Sequence, residues 1–500
     1  MSTKSMSAQD ALWLTMDRPN NLMVVDSIVV LEGMPQFEDV LQRFEDAVRR
    51  FPVLARRPLR RRNSWVWADR EGFDATQQVH EVTLPSGSGV TDLQAFMAQQ
   101  RSVPLDKERP LWVAFLVGPV TLEDGAIGSA VVARFHHAIA DGVRLSQVLL
   151  GMCDPEEGTT IPLVSRKGVL MPSPVDVVRA ATGSAARVSV AATQAAVGRA
   201  SSWAGALTPT TSVNDNASKA LALPKAGLAL LGDGVDLIRH PDRILDAFQA
   251  LGGGDHRTMN DMSSVTKLLL TDSDATVWTG EPGRVKDVAW SPPMSLPAVK
   301  AAARASGATV NDILVSAVAG GLQRYLADRG SQITEVVWMV PVNLKPFEEE
   351  LPEDLGNHFA LVMLPMPLGH ETRAERLADI HRYMGRIKNS DEAVLTYELQ
   401  RLISFAPQQV AEVVTNFFAN KAIGVLTNVP GPTGGMSFAG APVRQVLGFA
   451  PCSGDQPLTA TIFTTNGQVT IGFAADAALV PGLHDLVAHV VDEIDALCGE

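Results

Sequence analysis

The segment from Val131 to Gly142 constrains the fold more than any other part of this chain. It reads VVARFHHAIADG, a largely apolar run that stops on two adjacent histidines. The pattern predicts a strand up to the histidines, a turn, and a helix over 143–150. Because successive side chains of a strand point to opposite faces, we expect His136 and His137 to face opposite ways. His137 shares its face with apolar residues, so we place it at the rim of a buried layer.

These residues fit a proton-transfer site. Imidazole titrates near neutral pH, and a histidine that takes a proton from an attacking hydroxyl contributes roughly 10²–10⁴ in rate. Asp141 could bias the imidazole or fix the turn, and Gly142 leaves space where a side chain would block a channel. The opposite directions of His136 and His137 argue against a shared metal ion. A structural interpretation stays open, because histidines at strand ends are usually structural and Asp141 is a good helix N-cap.

Composition bounds the class of protein. The chain has 500 residues, 46% hydrophobic and 19% charged, which supports a large core in more than one domain or in two lobes of one body. The net charge of −13 argues against nucleic-acid binding as the main role. Three widely spaced cysteines suit a reducing cytoplasm, and no apolar run is long enough to span a membrane. Any contact with a membrane would therefore be peripheral.

We divide the chain into residues 1–155, an N-terminal lobe with the histidines, 156–255, an Ala-rich helical connector, and 256–500, a second lobe. In the second lobe, Thr309 is expected to cap a long helix. Strands are predicted at 24–31, 112–117, 265–270, 284–290, 336–344, 360–364, 422–429 and 469–476, and helices at 37–48, 295–306, 310–328, 371–388, 391–416 and 483–497.

A basic patch follows the first of these helices. It consists of Arg49, Arg50, Arg56, Arg57, Arg60, Arg61 and Arg62. A charge run of this kind is usually a solvated face. In an acidic protein it could also attract the phosphates of CoA or anionic lipid headgroups.

The segment from His136 to Gly142 matches HHxxxDG, the signature of the CoA-dependent acyltransferase superfamily. That superfamily includes chloramphenicol acetyltransferase, carnitine acyltransferases, polyketide-associated acyltransferases and peptide-synthetase condensation domains. The motif is shared by all of them and does not define a substrate.

Further stretches, in order along the chain, resemble the bacterial wax ester synthase/diacylglycerol acyltransferase family. The resemblance runs from about residue 7 to 495, and the ordered set is more specific than any one stretch. The stretches are Asp10-Ala11-Leu12-Trp13, Pro110-Leu111-Trp112, Thr309-Val310-Asn311-Asp312, Leu355-Gly356-Asn357-His358-Phe359 and Asn428-Val429-Pro430-Gly431-Pro432.

The resemblance implies an α/β fold of two chloramphenicol-acetyltransferase-like lobes with mixed sheets and an active-site channel between them. It implies His137 as general base, Asp141 as a supporting residue and Asn311 as a donor to the developing oxyanion, whose loss would cost about 10²–10³ in rate. No cofactor is implied, since acyl-CoA is a substrate. Supporting or channel-lining roles fall to His136, Gly142, Asp312, Pro110, Leu111, Trp112, Asn357 and Asn428.

The implied activity transfers a long-chain acyl group from acyl-CoA to diacylglycerol, giving triacylglycerol, or to a fatty alcohol, giving wax ester. The implied location is cytoplasmic, at the inner face of the membrane or on lipid droplets. Two features depart from the family pattern: the long Ala-rich middle region, and Asn343 and Lys345 where members often carry Ser and Arg. Both leave the acceptor undefined. The alternatives are a condensation-type or polyketide-associated acyltransferase and a catalytically silent lipid-binding protein.

Overall fold

The computed structural model describes residues 2–61, 64–160, 277–343, 351–389 and 408–499, with single positions between 393 and 404. These residues form a mixed α/β fold with two seven-stranded sheets and one three-stranded sheet. Within them, no helix combines the length and the apolar character that crossing a bilayer requires.

The elements are numbered in chain order over the described residues. The strands are β1 (Thr3–Ser5), β2 (Val24–Glu32), β3 (Arg56–Arg61), β4 (Ser64–Asp69), β5 (Val79–Thr83), β6 (Trp112–Thr121), β7 (Ile127–His136), β8 (Asp154–Pro155), β9 (Lys286–Trp290), β10 (Met294–Ser295), β11 (Glu335–Asn343), β12 (Phe359–Pro367), β13 (Gly424–Pro430), β14 (Met436–Phe438), β15 (Ala441–Phe449), β16 (Leu458–Thr465) and β17 (Gln468–Asp476). The helices are α1 (Ala8–Met16), α2 (Phe37–Arg50), α3 (Val90–Arg101), α4 (Gly142–Leu150), α5 (Leu296–Ser306), α6 (Val310–Asp328), α7 (Arg373–Asn389), α8 (Gln408–Ala419) and α9 (Leu483–Cys498).

The first sheet positions the histidines. Its strand order is β5-β6-β7-β2-β15-β14-β8. β5 is parallel to β6, and every other neighbouring pair in this sheet is antiparallel. β2 and β7 lie at its centre, and Val24 is paired with His136 at the end of β7. Every residue of β2 before Glu32 is buried, as expected for a strand covered on both faces.

The second sheet has the order β10-β17-β16-β13-β11-β12, with β9 also paired to β17. Helix α6 runs through the core of this lobe and packs against α9. Gly321 makes this close approach possible, because a Cβ there would lie 2.2 Å from Cγ2 of Val490. Thr309 caps α6 through a hydrogen bond to the backbone N–H of Asp312, as predicted.

The C-terminal half of the chain also completes the first sheet. β15 pairs with β2 in antiparallel register, and β14 pairs with both β15 and β8. A division of the chain into consecutive lobes at residue 256 therefore misses these two strands. The connector predicted at 156–255, apart from 156–160, and the strand predicted at 265–270 lie outside the described residues.

Most predicted elements are found within about two residues of their expected ends. The helix predicted at 391–416 corresponds in its second half to α8, and much of its first half lies outside the described residues. Several elements were not predicted: helices α1 and α3, the short strands β1, β5, β8 and β10, the hairpin β3–β4 that begins in the basic patch, the β14–β15 pair, and β16.

Candidate active site

The two histidines lie at a corner that hydrogen bonds hold from both sides. β7 ends at His136, a turn covers 137–139, and α4 begins at Gly142, so the predicted strand, turn and helix are confirmed. The backbone N–H of His136 donates to the Leu111 carbonyl at 2.9 Å, and that of His137 donates to the Met23 carbonyl at 2.8 Å. His137 therefore stands just beyond the strand, on a backbone fixed by its neighbours.

His136 has a structural environment. Its Nδ1 accepts the backbone N–H of Ala138 at 3.1 Å, so the ring proton lies on Nε2, which faces Asp17 Oδ2 at 3.7 Å. Burial lowers the pKa of His136, although the Asp17 carboxylate opposes this shift. Asp17 in turn pairs with Lys107 at 2.7 Å. A neutral His136 thus closes the turn, and its Nδ1 lone pair already accepts the hydrogen bond from Ala138.

His137 is held in the opposite tautomer by Asn357. The Nδ2 of Asn357 donates to Asp10 Oδ1 at 2.8 Å and to the His137 carbonyl at 2.9 Å. Its Oδ1 must then face Nδ1 of His137, 2.9 Å away, and accept that ring proton. This assignment leaves the lone pair on Nε2, which has no hydrogen-bond partner among the described residues.

The His137 ring lies against two aromatic side chains. The Trp13 ring stacks on it with centroids 3.9 Å apart and an interplanar angle of 20°, and Phe359 lies 5.4 Å away at 42°. The residue is 6% exposed, and this burial lowers the pKa of His137 to about 4. The imidazole is therefore neutral at pH 7, which is the form that can accept a proton. The channel expected between the lobes stays a prediction.

Asp141 joins the histidine corner to the segment around Asn357. Its Oδ1 accepts the backbone N–H of Arg144 at 3.0 Å and caps α4, while its Oδ2 accepts the backbone N–H of His358 at 3.0 Å. Two backbone hydrogen bonds complete this junction. The N–H of Gly356 donates to the Ile139 carbonyl, and the N–H of Asp141 donates to the Gly356 carbonyl. Asp141 makes no hydrogen bond to His137 in the described structure.

Gly142, next in sequence, faces open space. A Cβ built there meets no atom within 4 Å in the described structure, and its place beside a channel stays a prediction.

The Pro110-Leu111-Trp112 stretch supports the corner from the first-lobe core. Gln78 Nε2 donates to the Pro110 carbonyl at 2.8 Å, and Leu111 supplies the carbonyl that receives the His136 N–H. Trp112 is 1% exposed and donates its indole N–H to the Leu54 carbonyl at 2.7 Å. These residues therefore lie in the core behind the histidines.

Asn311 and Asn428 form a separate pair in the second lobe. Nδ2 of Asn428 donates to Oδ1 of Asn311 at 2.6 Å. Asp312 is turned away from this pair: it completes the capping box with Thr309 and accepts a hydrogen bond from His381 at 2.7 Å. Within the described residues, no hydrogen bond joins the asparagine pair to His137.

The basic patch is partly neutralised. Arg56 pairs with Asp69 at 2.7 Å, and Arg57 pairs with Glu108 at 2.8 Å. Of the other sequence features, Asn343 ends β11, while Arg62 and Lys345 lie outside the described residues. Binding of CoA phosphates or anionic lipid headgroups by this patch stays a prediction.

Sequence reasoning missed the contacts of Asp10, Trp13 and Phe359 with the site. Asp10 and Trp13 were noted as part of the opening stretch that resembles the family, and Phe359 as the end of the Asn357 segment. No local pattern places a helix at residues 8–16 against a histidine at 137, so only that resemblance pointed to them.

Comparisons with known proteins bear on the family and the fold of this chain. The family model described as "Wax ester synthase/diacylglycerol acyltransferase catalytic domain" matches residues 6–229, and the "WS/DGAT C-terminal domain" matches 355–498. A Mycobacterium tuberculosis (strain CDC 1551 / Oshkosh) protein, provisionally named a diacylglycerol O-acyltransferase, is 23% identical over 96% of this chain and 87% of its own length. A similarly named Mycobacterium bovis protein is 24% identical over 99% and 90%.

Solved structures share the fold. The wax ester synthase/diacylglycerol acyltransferase from Marinobacter aquaeolei VT8 superposes with a TM-score of 0.62 at 16% identity, covering 99% of this chain and all of that one. The first condensation domain of the calcium-dependent antibiotic synthetase gives 0.53 at 15% identity, covering 100% and 97%. Both matches extend over the two lobes. With two consecutive domain models matched around the histidine corner and the Asn357 segment, the chain belongs to the wax ester synthase/diacylglycerol acyltransferase family of acyltransferases.

Proposed function

We propose that this protein is an acyl-CoA-dependent O-acyltransferase that transfers a long-chain acyl group to diacylglycerol, to a long-chain alcohol, or to both. The observation that carries the proposal is the single lone pair left on Nε2 of His137. Nδ1 is occupied by Asn357, and burial keeps the ring neutral at pH 7. A fixed neutral imidazole of this kind is suited to general base catalysis.

The reaction we propose is direct transfer in a ternary complex. Nε2 of His137 takes the proton of the acceptor hydroxyl as its oxygen attacks the thioester carbonyl. The tetrahedral intermediate then collapses, the carbon–sulfur bond breaks, and the CoA thiolate takes the proton back from the imidazolium. The products are the ester and CoA. His137 acts first as base and then as acid, and no acyl-enzyme is formed.

Asn311 is our candidate donor to the oxyanion. Its Oδ1 accepts the hydrogen bond from Asn428, so its Nδ2 is the group that would donate to the substrate. Asn311 is only half-buried and lies at the N-terminal end of α6, where the helix dipole also favours negative charge. Substitution of Asn311 by Ala should then lower kcat by about 10²–10³.

The test compares His137→Gln with His489→Gln, a histidine on α9 that pairs with Asp328 and lies far along the chain from the corner. CoA release is measured with palmitoyl-CoA and a mixture of diacylglycerol and hexadecanol, and lipid products are separated by thin-layer chromatography. We expect His137→Gln to lose about 10²-fold or more in turnover and His489→Gln to keep it. Unchanged turnover in His137→Gln would remove the base assignment.

The same assay separates the alternatives. A condensation-type or polyketide-associated enzyme would prefer an acyl group on a carrier protein, or an amine acceptor, over free palmitoyl-CoA with an alcohol. A silent lipid-binding protein would bind lipid without releasing CoA. The product spots distinguish triacylglycerol from wax ester and so define the acceptor.

A further inference from the structure

Helix α1 reaches the proposed base from the far N-terminus of the chain. Asp10 and Trp13 are three residues apart, so they share one face of the helix. Asp10 accepts a hydrogen bond from Asn357, and Trp13 stacks on His137. We propose, building on the proposed function, that Asp10 and Trp13 are positioning residues that hold the imidazole of His137 in its proton-accepting orientation.

Trp13 fixes the plane of the ring. At a centroid distance of 3.9 Å and an angle of 20°, the indole covers one face of the imidazole, and Phe359 packs beside this pair, 5.8 Å from Trp13 and 5.4 Å from His137. Rotation of the imidazole about its Cβ–Cγ bond would push its edge into the indole. The stack therefore opposes the flip that would exchange Nδ1 and Nε2.

The indole nitrogen of Trp13 takes no part in holding the ring in place. Its indole Nε1 is buried without a hydrogen-bond partner among the described residues. A buried indole N–H usually finds an acceptor, and leaving one unsatisfied costs about 1–3 kcal/mol. The orientation of the ring is thus set by its stacking contacts and not by a hydrogen bond of its own.

Asp10 fixes the amide that selects the tautomer. The amide group of Asn357 could be turned either way, and only one orientation lets its oxygen accept the Nδ1 proton. Asp10, 8% exposed, accepts from Nδ2 at 2.8 Å and holds the nitrogen on the side away from the ring. A flipped amide would present N–H to Nδ1 and move the ring proton to Nε2, where it would block proton acceptance.

A proton on Nε2 can be detected without any substrate. In the full-length protein with ¹⁵N-labelled histidine, NMR spectra assigned by His137→Gln report which ring nitrogen carries the proton. We expect a protonated Nδ1 and an unprotonated Nε2 in the wild type, and a mixture of tautomers in Trp13→Leu and Asp10→Leu. Trp13→Phe, which can still stack, and Asp10→Asn, whose oxygen can still accept, should restore the wild-type pattern.

The kinetic test uses the same variants with Leu14→Ala as the control. Leu14 lies on α1 but is buried in the first-lobe core, so its loss reports only helix destabilisation. At equal folded fraction we expect Trp13→Leu and Asp10→Leu to lower kcat at least about tenfold, with KM for palmitoyl-CoA within about twofold.

Two results would overturn the inference: kcat values no lower than that of Leu14→Ala, or unchanged histidine ¹⁵N signals in both leucine variants. A different outcome separates the two proposals. If His137→Gln kept full turnover while Trp13→Leu and Asp10→Leu showed the tautomer mixture, His137 would not be the base, but its positioning by α1 would stand.

Discussion

His136 and His137 are neighbours in sequence with opposite tautomers. The backbone N–H of Ala138 takes the Nδ1 lone pair of His136, whereas the Asn357 oxygen takes the Nδ1 proton of His137. The difference arises entirely from the partner that each ring meets. As a result, His136 closes the turn, and His137 keeps a basic Nε2 with no hydrogen-bond partner among the described residues.

The pH dependence of activity follows from the environment of His137. Burial lowers its pKa to about 4, so the ring stays neutral well below pH 6. We expect the acid limb of kcat/KM for palmitoyl-CoA to have its midpoint near pH 4, below the ordinary histidine value of about 6.5. A midpoint near 6.5, in a protein still folded by circular dichroism, would contradict a buried base.

The same shift affects stability with a defined sign. Between pH 6.5 and 4 the unfolded chain binds a proton at His137 that the folded chain does not, so stability falls as the pH is lowered through this range. Asp10 and Asp141, whose pKa values burial raises, act in the opposite direction. Urea denaturation of wild type and His137→Gln isolates the histidine contribution. Between pH 6.5 and 4, the free energy of unfolding of the wild type should fall more steeply than that of the variant, by up to about 1.4 kcal/mol per pH unit.

At the scale of elements, Asp141 connects two segments that are distant in sequence. One carboxylate oxygen caps α4 and the other holds the His358 N–H beside Asn357. The carboxylate thus acts on the base through backbone geometry.

Asp141→Ala should therefore cost about 1–3 kcal/mol in the free energy of unfolding. At equal folded fraction, its turnover should fall less than that of His137→Gln, and Asp141→Asn, which keeps the capping oxygen, should lie between wild type and Ala. Equal losses in Asp141→Ala and His137→Gln would show that Asp141 contributes to the chemistry directly.

The second sheet depends on a close contact between β13 and β16. A Cβ at Gly424 would lie 1.7 Å from the Leu458 carbonyl oxygen, so the strands would have to separate. Gly424→Ala should lower the free energy of unfolding by at least about 3 kcal/mol, measured in urea. Gly385→Ala in α7, where a Cβ meets none of the described atoms within 4 Å, should be neutral or stabilising by up to about 1 kcal/mol. Similar effects of the two substitutions would contradict this account.

Local patterns predicted the elements well because their signals are local. The apolar period, the Asp141 cap and the Thr309 capping box each lie within a few residues of the structure they specify. The contacts that make the site do not. Asn357 meets His137 across 220 residues of chain and meets Asp10 across 347, and no period or cap records such a pairing. Only the family resemblance marked these segments as belonging together.

For the whole molecule, a buried ionic group holds the first lobe together. Asp26 on β2 pairs with Arg134 on β7 at 2.8 Å and with Arg101 on α3, and Arg101 also reaches the Ala450 carbonyl just after β15. Asp26 and Arg134 are each 1% exposed. Removing one partner of such a group leaves buried charge uncompensated.

Asp26→Asn should accordingly cost about 3–5 kcal/mol in the free energy of unfolding. Asp46→Asn, which weakens the exposed pair of Asp46 with Arg49, should cost less than about 1 kcal/mol. Urea denaturation followed by tryptophan fluorescence measures both. A small loss for Asp26→Asn would mean that the two guanidinium groups find other partners or solvent.

The pairing of β15 with β2 also has a consequence for biosynthesis. A ribosome releases β2 and β7 long before it reaches residues 441–449, a delay on the order of tens of seconds at ~5–20 residues per second. During translation, the apolar edge of β2 remains unpaired until β15 is synthesised, and an unpaired apolar edge strand is prone to aggregation. The nascent chain should therefore depend on chaperones until its last strands emerge, and the histidine corner matures only near the end of synthesis.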